Sequence, residues 1–131
     1  MTTIVVGWTP DEFGEAALRR GIEEAHLRSG RVVVVNATRG DALVDDRYAG
    51  EEQLAALANE LGAAGIEVDV RRSMGADVAD QVLAVAADVT ADLVVIGLRR
   101  RTPVGKLLMG SVAQRILLGA ECAVLAVKPA A

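Results

Sequence analysis

Four short runs in this chain are built almost wholly from aliphatic residues: Thr3 to Trp8 (TIVVGW), Arg31 to Ala37 (RVVVVNA), Leu93 to Ile96 (LVVI) and Ala123 to Val127 (AVLAV). The first three of these runs suit strands covered on both faces, as inside a parallel sheet, and the last, AVLAV, reads as a short closing strand. A fifth run, Ile66 to Arg72 (IEVDVRR), alternates apolar and charged residues, the pattern of a strand near a sheet edge with one face in water. Between the runs lie helical stripes. One extends from Phe13 through Ala17, Leu18, Gly21 and Ile22 to Ala25; a second is Leu54, Leu57, Ala58 and Leu61. A third is Val78, Val82, Val85, Ala86 and Val89, and a fourth is Ala113, Ile116, Leu117 and Ala120. Strand and helix alternate throughout. That order predicts an α/β fold, an open parallel sheet with helices on both faces and right-handed connections.

The punctuation agrees with this reading. Thr9-Pro10-Asp11-Glu12 is a helix start in which Thr9 caps, Pro10 takes the first helical position and Glu12 supplies the acid of a capping box. Ser29-Gly30 stops that helix, Gly62 and Gly65 stop the second, and Asp77, after the Gly75 turn, caps the third. A polar connection at 38–46, with Gly40, Asp41 and Asp45, and a basic loop at 98–109 are the long links. At 131 residues, the chain reads as a single domain, 1–131, large enough for a real core.

Charge and composition exclude several classes. The net charge of −4 argues against nucleic acid and acidic membrane as partners. Cys122 is the only cysteine and His26 the only histidine, so no internal disulfide or cysteine metal cluster forms and no metal site is predicted. Cys122 reads as a packing residue and His26 as a surface side chain near a helix end. No run approaches the ~20 apolar residues of a membrane span, and the N-terminus has no basic leader; the expectation is a cytoplasmic protein.

The stretch Ala91 to Val112 (ADLVVIGLRRRTPVGKLLMGSV) carries the site. A buried strand ends at Gly97; a loop with Arg99, Arg100, Arg101 and Lys106 follows; Gly110-Ser111 then opens the last helix. Strand, basic loop and helix start place free backbone N–H groups and a positive helix end beside a strand tip, where anions, phosphate above all, are attracted. Gly105-Lys106 resembles the end of a P-loop, but Leu107 replaces the required hydroxyl residue, and Arg100 stands where the loop's first glycine belongs. No base lies near Ser111 in sequence, so the better role for its hydroxyl is hydrogen bonding to phosphate.

With these residues the sequence resembles the universal stress protein family nearly end to end. Nucleotide-binding members carry G-x-x-G, nine residues, then G-[S/T] after the fourth strand; Gly97 fits the first position and Gly110-Ser111 the last two. The ending GSVAQRILLGAECAVLAVKP is similar to the family's closing helix and strand. The resemblance implies a five-stranded sheet ordered 3-2-1-4-5, a Rossmann-like adenine nucleotide alpha hydrolase-like fold, with the ligand at the switch point between the first and fourth strands. It implies a phosphate cradle of Gly97, Gly110, Ser111 and Val112, an adenine edge near Ala37, and a nucleoside contact at Thr9, where the family has Asp. The implied ligand is ATP or another adenine nucleotide, with Mg as an optional companion ion. The implied assembly is a homodimer through the edge strand 123–127.

Two positions depart from the family pattern. Arg100 replaces the second glycine, where a side chain costs roughly 1 kcal/mol in a left-handed backbone and fills space. Thr9 replaces the Asp. Against this, Arg99, Arg100 and neighbouring cations offer guanidinium groups that pair well with phosphate. Three functions follow: a nucleotide-binding stress regulator, an interaction protein of the same fold without nucleotide, and, ranked last, a slow ATPase. The ATPase ranks last because no carboxylate is expected in or beside the cradle.

Overall fold

The structure is a computed structural model and describes residues 1–38, 50–75, 77–98 and 110–129. In chain order the elements are β1 (Thr3–Gly7), α1 (Glu12–Arg28), β2 (Arg31–Thr38), α2 (Glu51–Ala63), β3 (Val68–Met74), α3 (Val78–Asp88), β4 (Leu93–Gly97), α4 (Ser111–Gly119) and β5 (Ala123–Val127). The five strands form one parallel sheet in the order β3-β2-β1-β4-β5. Strand order and fold class are those expected.

Side-chain alternation divides the core into two layers. Ile4, Val6, Val32, Val34, Leu93 and Val95 face α1 and α2, meeting Ala17, Leu18, Leu57 and Leu61. Val5, Val33, Val35, Val94 and Ile96 face α3 and α4, meeting Ala79, Val82, Ala86 and Ile116. The runs of β1, β2 and β4 are therefore buried on both faces, as their composition requires, while β5, at one edge of the sheet, is only partly buried. β3, with its charged alternation, is an edge strand.

Three local expectations are corrected. Thr9 does not cap α1. Asp11 does: its Oδ1 accepts the Phe13 and Gly14 amides at 3.1 and 2.9 Å, and the Thr9 hydroxyl donates to the same oxygen at 2.7 Å. A charged acceptor competes better than a hydroxyl for orphan helix amides, so the helix begins after Asp11, and Pro10 lies outside it. β3 starts two residues later than expected, because Ile66 is used differently: it is buried under the end of α2, and its amide bonds to Leu61 C=O at 3.2 Å. Gly62 does not stop α2, which runs on to Ala63. Asp77 caps α3 as expected, accepting from the Asp80 amide at 2.9 Å.

Candidate functional site

β1 and β4 are neighbours in register from Ile4↔Leu93 to Val6↔Val95, yet the helices that follow them lie on opposite faces of the sheet. The chain parts at their C-terminal ends and leaves a crevice, the switch point where open α/β sheets take ligands. A cavity of about 360 Å³ occupies it, within the usual range for small-molecule sites. Of the residues expected to form the site, Thr9, Ala37, Gly97, Gly110, Ser111 and Val112 all line this one cavity. Arg99 and Arg100, with Arg101 and Lys106, lie outside the described residues.

The two helix starts facing the crevice differ electrostatically. α1 begins with the Asp11 carboxylate on its amides and Glu12 and Glu15 in its first turn. α4 begins at Gly110, which offers no side-chain cap, and has no acid in its first turn; Ser111 and Val112 are exposed. One end of the cavity is therefore negative, and the other presents amides that no described side chain caps, at the positive end of a helix dipole. Gly97 and Gly110 also differ. A Cβ on Gly97 would lie 2.3 Å from Phe13 C=O, so this glycine is required by the close approach of α1 to β4. A Cβ on Gly110 would meet nothing within 4 Å among the described residues, so their packing does not demand a glycine there.

At the other end, β2 outruns β1. Val35 C=O accepts the Trp8 amide at 2.9 Å, and Thr38 C=O accepts the Gly75 amide at 3.0 Å. Alternate residues of β2 thus face β1 and β3 in turn. By that parity the N–H and C=O of Ala37 face the β1 side, where β1 has already ended. Buried Asn36 closes the gap below, its Nδ2 donating to Trp8 C=O at 3.1 Å.

Asp11 was not among the expected site residues, yet it lines the cavity; the expectation that no carboxylate stands beside the cradle is corrected. The signal was present in Thr9-Pro10-Asp11, but it read as helix punctuation. Phe13, Val78, Val82 and Ile96 also form the wall and were not foreseen as such. α4 is tied to the start of α3 by Arg115, which pairs with Asp77 and donates to Asp80 Oδ1 at 2.8 Å. The Asp80 amide, and then Arg115, hold the Asp77 carboxyl below its ordinary range. Cys122 is not part of the cavity wall, and burial pushes its thiol up, as suits a packing residue. Among the described residues no group of three or more His, Cys, Asp or Glu is placed to hold a metal, and no helix is long and apolar enough to cross a membrane.

A parallel five-stranded α/β sheet with a crevice at the β1/β4 switch point defines a class of small-ligand-binding domains. The sequence model of the universal stress protein family matches residues 1–128. A universal stress protein of Mycolicibacterium smegmatis is 47% identical over 126 residues, covering 96% of this chain and 97% of that protein. A universal stress protein from Archaeoglobus fulgidus superposes with a TM-score of 0.79 at 30% identity, covering 98% of this chain and 94% of the other. Another A. fulgidus structure, solved in complex with dAMP, gives a TM-score of 0.75 at 28% identity over 98% of both chains. The chain belongs to the universal stress protein family.

Proposed function

We propose that this single-domain, cytoplasmic protein is a stress-response regulator that binds an adenine nucleotide in the β1/β4 crevice. It works as a homodimer through β5, and occupancy alters its dimer or partner contacts. The phosphates lie at the α4 start against the Gly110, Ser111 and Val112 backbone, with Gly97 beside them, and Arg99 and Arg100 supply positive charge for them. The base meets the Ala37 edge, and the sugar lies near Thr9 and Asp11. The observation that carries this reading is the polarity of the crevice. A phosphate is drawn to the α4 start and repelled from α1, where a carboxylate favours hydroxyl donors instead. The A. fulgidus relative bound to dAMP supports the same ligand class.

Thermal unfolding with and without AMP, or ATP with Mg, tests it. A ligand at about 100 times its Kd adds about 2.7 kcal/mol, so a rise of several degrees in Tm is expected. No rise at millimolar nucleotide would overturn the proposal and favour the second reading, an interaction protein of the same fold. Asp11 favours that second reading to the extent that its charge opposes phosphate anywhere but at α4. Slow ATP hydrolysis remains the third reading: Asp11 brings a carboxylate to the wall, but its Oδ1 already accepts three donors as a helix cap.

A further inference from the structure

We propose that Gln81 is a positioning residue that sets the base discrimination of the crevice, by holding the overhanging end of β2 so that the Ala37 peptide stays open to a ligand. The inference rests on the reading of the crevice as a nucleotide site and adds a specificity determinant to it.

Beyond Gly7, β2 has no β1 strand beside it and is paired on its β3 side alone, out to Thr38↔Met74; a strand end held along one edge opens more readily than one held along two. Gln81, at the end of the first turn of α3, adds a second hold. Its Nε2 donates to Thr38 C=O at 2.8 Å and to Gly75 C=O at 3.1 Å. Thr38 C=O also accepts the Gly75 amide, so both its acceptor positions are filled. Gln81 Oε1 is buried without a hydrogen-bond partner. The amide is therefore oriented wholly by the two carbonyls it serves, and it leaves an acceptor unsatisfied to serve them. Val78 and Val82, on either side of Gln81 along α3, line the cavity wall. One side chain thus joins the strand end, the turn after β3 and the helix that flanks the cavity.

With Thr38 filled, the Ala37 peptide is the donor–acceptor edge that β2 turns toward the crevice. Its C=O accepts and its N–H donates. That edge matches a heterocycle carrying an exocyclic amine beside a bare ring nitrogen, as in a 6-aminopurine. A 6-oxopurine reverses both partners, setting C=O against C=O and N–H against N–H. Discrimination requires the edge to be held in place, because a frayed strand end would adapt to either base.

Isothermal titration of the full-length protein with AMP and GMP tests the role. The wild type should prefer AMP by about tenfold or more. Gln81→Leu should cut that preference to about twofold by weakening AMP and leaving GMP unchanged. Gln81→Glu should do the same at pH 8, where an ionised carboxylate opposes both carbonyls, and recover part of the preference at pH 5, where the protonated acid donates again. Because that last comparison is made within one folded protein, it does not depend on the stability of Gln81→Leu. Equal weakening of both nucleotides, an unchanged preference, or a wild type that does not distinguish them overturns the inference. A wild type that binds neither nucleotide overturns the reading of the crevice itself, and this inference with it.

Discussion

Two glycines at the crevice look alike in sequence and have different physical reasons. At Gly97 a methyl group would be driven into the Phe13 carbonyl, a backbone atom that cannot swing aside. Gly97→Ala should therefore destabilise the fold by ~2 kcal/mol, as overpacking against a fixed neighbour does, visible as a drop of several degrees in Tm. At Gly110 the backbone is ordinary extended chain (φ −61°), and no described residue lies within 4 Å of where a Cβ would sit. Gly110→Ala should lower Tm by less than Gly97→Ala does, since it costs only the difference between a glycine and an alanine cap, below about 1 kcal/mol, while weakening nucleotide binding by filling the approach to the α4 amides. Paired melting and titration experiments separate the two roles; equal loss of stability in both variants would contradict the assignment.

At the scale of elements, the orientation of α4 decides where its first amides point, and Arg115 bridges it to the Asp77 and Asp80 carboxylates at the start of α3. Asp77 is held below its ordinary pKa first by the Asp80 amide and then by Arg115. A carboxyl depressed in the folded state contributes stability above its unfolded pKa of about 3.9 and loses it as pH falls through the folded value. Asp77→Asn should thus lower Tm at pH 7, and the gap to wild type should narrow progressively below about pH 4. A gap that stays constant down to pH 2 would mean that the charge of Asp77 contributes nothing there. The effect is modest and salt-sensitive, since the pair is exposed to solvent.

Across the whole molecule, the crevice and the outer sheet edge share structure. The amide of Leu98, the residue leaving β4 at the cavity, donates to Val127 C=O at the end of β5 at 2.7 Å. That bond also sets the parity of β5: Val127 and Leu125 turn their peptide groups to β4, and Val124 and Ala126 turn theirs outward. A proline at 126 removes an outward N–H while sparing the β4 ladder. If two copies pair through β5, Ala126→Pro should shift sedimentation from dimer to monomer at micromolar protein and leave the far-UV spectrum unchanged. A wild type that sediments as a monomer would remove the proposed dimer.

The aliphatic runs, the helical stripes and the Gly97…Gly110-Ser111 spacing were legible from the chain alone, because each depends on a pattern within a few residues. They determined the α/β class, and with the family resemblance the strand order and the neighbourhood of the site. Which residue performs each role there was decided by the tertiary structure. Thr9 and Asp11 are both plausible caps by type, and only the geometry shows the carboxylate taking the amides. Gly97 is glycine because Phe13 arrives against it from another element, and Gln81 holds Thr38 across 43 positions of sequence. Such contacts form between segments whose local patterns carry no record of one another; packing alone brings them together.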